Sequence, residues 1–371
     1  MTELRIPVDL LPSDGRFGCG PAKIRPAAVR ALAADGAKLL GTSHRQAPVR
    51  NLVRGVREGL AALFSIPDGY QVVLGNGGSS VFWDVAVSSL ITSRSAHASF
   101  GEFSAKFAAA AAAAPHLADP SVVTAPVGSA AAPTAVEGAD VYAWAHNETS
   151  TGALAPVRRV VDADPGALVV IDATSAAGGV AVDITQTDVY YFAPQKSLGS
   201  DGGLWFALLS PAAYDRVMSI DSSDRWIPES LSLARAIENS VMNQTLNTPA
   251  IATLFLLADQ LRWLNTRGGL PFAAARTADS AGRIYAWAEE SAYATPFVTP
   301  PYRSPVVATI DFTGVDATRI AAVLRANGVV DTEPYRKLGR NQLRIGMFPN
   351  VEPSDVSQLC RCIDYVIEQL V

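Results

Sequence analysis

A large α/β domain on a mostly parallel seven-stranded sheet, followed by a small C-terminal α+β domain, is the fold this 371-residue sequence predicts. Three observations predict it. Apolar β-rich runs alternate with helical runs over most of the first 265 residues, the rhythm of strand–helix–strand units. Most of those runs are continuously apolar, as in strands covered on both faces. Beyond about residue 265 the rhythm shortens into a compact mixed unit. The expected division is 16–265 and 266–371, with the segment 1–15 packing on the second unit.

In chain order, Pro48–Leu63 reads as a helix, Gln71–Leu74 as a strand and Val81–Leu90 as a helix. Ala96–Phe100 is the next strand. Phe103–Ala114 then reads as a helix, because its alanine run favours that state more than any other residue would. Strands follow at Ser121–Ala125 and Val141–Ala145, a short helix at Arg158–Asp162, and strands at Ala167–Ile171, Val189–Phe192 and Leu204–Leu209. The most apolar helix candidate covers 249–261. The second unit reads as strand Pro305–Phe312, helix Asp316–Asn327, short strands Val329–Asp331 and Leu343–Met347, and a closing helix Ser354–Leu370.

Composition removes several function classes. With 49% apolar and 18% charged residues, a chain of this length buries a large core, which excludes wholesale disorder. A net charge of −5 argues against nucleic acid as the main partner, while leaving room for a local anion pocket. Three cysteines cannot form a disulfide framework, and four histidines without HxH or HxxxH spacing make a metal site unexpected. The N-terminus has no apolar stretch of signal-peptide length, and 249–261 is too short to span a bilayer. A cytoplasmic protein with no membrane partner is expected.

In open parallel sheets ligands bind beyond the carboxyl ends of the strands, so the polar residues that close apolar runs are informative. Val72–Leu74 runs into Gly75-Asn76-Gly77-Gly78-Ser79-Ser80 and then a helix. Glycines allow close backbone approach, and a helix N-terminus offers free N–H groups to an anion. Taken singly, the segment is more simply a glycine turn with a serine cap. Leu168–Ile171 ends in Asp172, a carboxylate that needs a partner if buried, or that caps the next turn. Val189–Ala193 ends in Pro194-Gln195-Lys196. Desolvation lowers an ammonium pKa and frees a nucleophilic lone pair suited to an imine with a carbonyl. Together, an anion cradle, an acid strand end and a lysine strand end describe a pyridoxal 5′-phosphate (PLP) site. The cradle holds the phosphate, Asp172 the pyridine nitrogen, and Lys196 the aldehyde.

The chain resembles the fold-type I PLP-dependent transferases of aminotransferase class V, and within them the phosphoserine aminotransferase family. Phe17-Gly18-Cys19-Gly20-Pro21-Ala22, Ser43-His44-Arg45, Asn147-Glu148-Thr149, Asp172, Gln195-Lys196 and Asn247-Thr248-Pro249 fall in that family's order. The resemblance implies Lys196 and Asp172 as catalytic residues, Lys196 being the Schiff-base lysine. It implies Gly78, Ser79 and Gln195 at the cofactor phosphate, Thr149 at the ring, and Phe103 where the family commonly stacks a tryptophan. Asn247 and Thr248 would reach the other subunit's cofactor, implying a homodimer. His44, Arg45, Arg336 and Arg344 would bind substrate carboxylate and phosphate. The family's His-Arg pair stands here as Tyr335-Arg336, and its phosphate-loop arginine is replaced by Ser79 or Ser80. The implied reaction moves an amino group from L-glutamate to 3-phosphohydroxypyruvate in serine biosynthesis, with an alanine–glyoxylate type of class V transaminase as the alternative. A desulfurase needs a mobile cysteine near the cofactor, and Cys19, Cys360 and Cys362 sit at the ends of the sequence.

Overall fold

The computed structural model describes residues 4–370. Residues 1–3 of the N-terminal segment and residue 371 of the second unit lie outside the described residues. Helices α1 (Pro26–Ala34) and α2 (Ala47–Phe64) each carry a proline in the first turn, where a missing N–H costs nothing. Then come β1 (Gln71–Asn76), α3 (Ser79–Ser89), β2 (Ser95–Ser99), α4 (Glu102–Ala113), β3 (Ser121–Thr124), β4 (Val141–Ala145), β5 (Leu168–Asp172), β6 (Val189–Phe192) and β7 (Leu204–Leu209). They form one seven-stranded sheet in the spatial order β1-β7-β6-β5-β4-β2-β3. Strand β7 is antiparallel to both its neighbours, and every other adjacent pair is parallel.

Strands β4 to β7 are buried along their whole length, and their side chains alternate between two cores. Tyr142, Trp144, Ile171, Tyr190 and Phe206 face one, while Val141, Ala143, Val170, Tyr191 and Ala207 face the other. Double coverage is what a continuous apolar run anticipates. Edge strand β3 departs from that expectation: Val122 and Val123 are 45% and 43% exposed, because nothing covers the sheet's last strand on that side.

Four helices complete the first unit and bridge to the second: α5 (Pro211–Asp221), α6 (Leu233–Val241), α7 (Ile251–Asn265) and α8 (Gly269–Glu290). Leu270 and Ala273 of α8 join the core of the large sheet, whereas Ala281, Ile284 and Ala288 join a separate core. That second core is built on β8 (Ala294–Pro296), β9 (Val307–Phe312), α9 (Ala317–Ala326), β10 (Gln342–Gly346) and α10 (Pro353–Leu370). Its sheet is antiparallel in the order β8-β9-β10, and Ile6 from the N-terminal segment is buried in the same core.

Two predicted elements are corrected. Arg158–Asp162 is not a helix. Five residues give too little to offset nucleation, Asp162 adopts a left-handed φ of 59°, and Arg159 is drawn to Asp188. Val329–Asp331 is not a strand but a single bridge between Val330 and Arg16, because Asp331 turns the chain away with a φ of 65°. Among the described residues, no helix is long and apolar enough to cross a membrane.

Candidate active site

One sheet edge gathers the polar residues that close the apolar runs. Strands β1, β2, β4, β5 and β6 all end there, and β7 begins there. A cavity of about 460 Å³ opens at this edge. Gly78, Ser79, Phe103, Thr149, Asp172, Gln195, Lys196 and Arg344 all line it, brought together from both units of the chain.

Lys196 follows β6 and is 8% exposed. Its Nζ donates to Thr149 Oγ1 at 2.8 Å. Thr149 donates on to Ser175 Oγ at 2.9 Å, and Ser175 donates to the Asn147 carbonyl at 3.0 Å. This oriented chain leaves the lysine with an acceptor but no ion-pair partner at contact distance. Burial pushes the ammonium down from 10.5 to about 8, against the opposing charges of Asp172 and Glu148. Gly20 explains why the FGCGPA segment needs glycine: a Cβ there would sit 2.7 Å from Lys196 Cε, and its φ is +139°.

Asp172 ends β5 and is 7% exposed. Thr174 donates to its Oδ1 twice, from the backbone N at 2.9 Å and from Oγ1 at 2.6 Å. Trp83 Nε1 on α3 lies 3.4 Å from Oδ2. These contacts fix the position of the carboxylate.

At the other end of the cavity stands the N-terminus of α3. Its cap is Gly78, which has no side chain to satisfy the first turn, and Ser79 and Ser80 bring hydroxyls. Gln195 Oε1 is buried beside this region without a partner. Phe103 lies in the first turn of α4, its ring centroid 5.2 Å from Lys196 Nζ. Beneath it the fully buried Glu148 accepts from Phe103 N, Ser104 N and Oγ, and Ser150 N and Oγ. A carboxylate under a helix N-terminus satisfies free N–H groups and the dipole together. Gly101 is obligatory here, since a Cβ would lie 2.3 Å from Glu148 Cγ.

Another wall comes from the second unit. Arg344 on β10 donates from Nη1 to the Thr149 carbonyl at 3.1 Å, while its Nε is buried without a partner. Arg336 is exposed and does not line the cavity. His44, Arg45, Asn247 and Thr248 do not line it either; they form a second cluster. His44 Nδ1 is 3.2 Å from Thr248 Oγ1, Arg45 Nη1 donates to Gln244 at 3.1 Å, and Asn76 holds the 247–248 backbone. His44 Nε2 is buried without a partner.

Several lining residues were outside the sequence reading. Trp83 reads as one more apolar residue of a buried helix; its place four residues after Ser79 was the available signal. Tyr335 is visible in sequence only as the first half of Tyr335-Arg336, yet it, rather than Arg336, lines the cavity. Cys19 also lines the cavity, correcting the inference that no cysteine lies near it. The thiol is wholly buried, its pKa raised by that burial, and its segment is pinned by Phe17 N to the Val330 carbonyl and Ala22 N to the Gln195 carbonyl. It is therefore neither a mobile nor an activated thiol.

A family model described as aminotransferase class V matches residues 21–332. The chain is 62% identical over 370 residues to a phosphoserine aminotransferase of Nocardioides sp., with 99% of each chain covered. Among solved structures, a phosphoserine aminotransferase from Cytophaga hutchinsonii superposes with a TM-score of 0.88 at 22% identity, covering 95% of this chain and 99% of that one. A phosphoserine aminotransferase from Bacillus circulans gives 0.84 at 19% identity, covering 96% and 99%.

Proposed function

The chain belongs to the aminotransferase class V family, a PLP-dependent transaminase of fold type I, and on that premise we propose that it converts L-glutamate and 3-phosphohydroxypyruvate to 2-oxoglutarate and O-phospho-L-serine, in the cytoplasm, for serine biosynthesis. The observation that carries this reading is the buried Lys196 amine sharing one cavity with Asp172 and an uncapped helix N-terminus.

PLP fits the residues present. The cavity of about 460 Å³ has an amine, a carboxylate with donors behind it, and an anion end where the first turn of α3 has no side-chain cap and Ser79 and Ser80 offer hydroxyls. In this reading Gly78, Ser79 and Gln195 hold the phosphate, Phe103 and Thr149 the ring, Asp172 its nitrogen and Lys196 the aldehyde. When bound there, PLP supplies a carbonyl that accepts an amino group and a ring that accepts the electron pair of the substrate Cα–H bond. Lys196 Nζ takes and returns that proton; with its pKa near 8, a useful share of the amine is neutral at physiological pH. Thr149 Oγ1 holds Nζ in place through the Ser175 and Asn147 chain. Asp172, fixed by Thr174, keeps a negative charge opposite the ring nitrogen. Arg344 meets the substrate carboxylate with its unpartnered Nε edge.

We further propose a homodimer in which Asn247 and Thr248 reach the partner's cofactor, with His44 and Arg45 on the same cluster. Its support is that this cluster stands outside its own protomer's cavity and keeps a buried unpartnered His44 Nε2. We also propose the division at 16–265 and 266–371; the two cores favour two units, with α8 crossing between them, since Leu270 and Ala273 join the first core and Ala281, Ile284 and Ala288 the second.

The deciding experiment is a spectral half-reaction. The purified holoenzyme should lose its PLP absorption with L-glutamate alone and regain it with 3-phosphohydroxypyruvate, and initial rates should give parallel double-reciprocal lines. Turnover with alanine and glyoxylate, and none with the phosphorylated keto acid, selects the alanine–glyoxylate type instead. A monomer by sedimentation at micromolar concentration overturns the dimer.

A further inference from the structure

Resting on the reading of Arg344 as the substrate arginine, we propose that Tyr335 is a positioning residue that sets the site's preference for acidic substrates by fixing the plane of the Arg344 guanidinium.

Tyr335 belongs to a strap, residues 331–338, that runs between α9 and β10, and its side chain lines the cavity. The Arg344 guanidinium carbon sits 5.3 Å from the Tyr335 ring centroid. The Tyr335 ring also meets Phe103 at 6.1 Å with a 54° tilt. A guanidinium is a flat fork, and an aromatic face both attracts it and restricts its rotation. One edge is already used, Nη1 donating to the Thr149 carbonyl. With a ring over the face and Nη1 held, the edge formed by Nε and Nη2 is what remains to present toward a carboxylate in the cavity, and no partner occupies the buried Nε.

The strap itself is pinned at both ends. Arg325 pairs with Asp331 at 2.9 Å and Glu333 at 2.7 Å, and Arg344 N donates to the Thr332 carbonyl at 2.9 Å. At the far end Lys337 pairs with Glu102, in the first turn of α4 beside Phe103. The strap thus ties the arginine of one unit to the ring-stacking helix of the other. An aromatic residue at 335 serves that geometry without using its hydroxyl, so the ring rather than the O–H is the working part.

The test uses the holoenzyme and glutarate, a dicarboxylate that cannot react, measured by calorimetry beside steady-state kinetics with L-glutamate. Tyr335→Ala should raise the glutarate Kd and the glutamate KM about tenfold, with kcat within about threefold and the PLP absorption unchanged. Tyr335→Phe should stay within about twofold of the parent, since it keeps the ring. Lys337→Ala, which frees the strap from α4, should raise the Kd by about threefold. An unchanged Kd in Tyr335→Ala, or equal losses in the Ala and Phe variants, overturns the proposal. Arg344→Lys separates the two levels. If it binds glutarate as tightly as the parent, the reading of Arg344 falls and the proposal with it. If it loses glutarate while Tyr335→Ala does not, the proposal alone falls.

Discussion

The two walls of the cavity are built by different means. On the large-unit wall, each functional group sits at or just after the end of a buried strand and is locked by hydrogen bonds to neutral partners: Lys196 on Thr149, Asp172 on Thr174, Glu148 under α4. On the small-unit wall, Arg344 is held by one carbonyl, a stacked ring and a strap whose ion pairs, Arg325–Asp331, Arg325–Glu333 and Lys337–Glu102, all involve an exposed cation. Buried bonds in a low dielectric are costly to break, while exposed pairs contribute little and weaken with salt. The contrast teaches which part is preset and which adjusts. Bond-making chemistry needs one fixed geometry, and recognition of an acid tolerates a wall that is assembled across two units.

The largest effect should come from the fixed wall. Lys196→Ala should cut transamination by roughly 10⁴-fold, followed as a single-turnover change in the PLP absorption on mixing with glutamate. A loss no greater than that of Tyr335→Ala would erase the difference between the walls. Asp172→Asn keeps the shape and removes the charge; kcat should fall by about 10²–10³-fold while the glutamate KM changes little. The depressed Lys196 pKa gives a third check, on cofactor-free protein. Only the neutral amine attacks a carbonyl, so the rate of PLP uptake should rise with pH, pass its midpoint near 8 and then level off. A rate still climbing toward 10.5 would mean that the amine is solvated like an ordinary lysine.

What the sequence reveals follows the same division. Strands β4 to β7 are legible because burial on both faces removes the polar alternation, and Asp172 and Lys196 stand out as charges at the ends of such runs. The glycine turn before α3 is legible because a strand, glycines and a helix start are consecutive. The strap is not: its contact with α4 joins Lys337 to Glu102, and such pairings come from tertiary docking that no local pattern encodes. Cys19 was misplaced for the same reason, being at the start of the chain yet on the cavity floor through backbone bonds to Val330 and Gln195. Arg158–Asp162 is not helical for the same kind of reason: Arg159 is committed to Asp188, a partner distant in the sequence. Trp83 was hidden by its helix, since a buried face explains an indole without a partner.

Glu148 tests whether the fixed wall depends on a residue that does not line the cavity. Glu148→Gln leaves the size unchanged but turns one acceptor oxygen into a donor facing Ser104 N, Phe103 N or the Ser150 hydroxyl. The mismatch should cost about 1–3 kcal/mol, read as a lower urea midpoint, and should loosen Phe103 enough to lower kcat by about tenfold. An unchanged midpoint would show that α4 holds its own N-terminus without this carboxylate.

Trp83 should give the smallest effect, because its contact with Asp172 is longer than those of Thr174. Thr174 approaches Oδ1 at 2.6 and 2.9 Å, whereas the indole Nε1 stands 3.4 Å from Oδ2. A hydrogen bond weakens steeply as it lengthens, so the indole adds to the carboxylate's solvation without setting its position. Trp83→Phe keeps an aromatic ring in the α3 core and removes only the N–H. Losing so long a bond should cost about 0.5–1 kcal/mol, a two- to fivefold fall in kcat. A loss as deep as that of Asp172→Asn would instead make the indole, not Thr174, the group that holds the acid in place, and the fixed wall would then reach one helix further back than the strand ends.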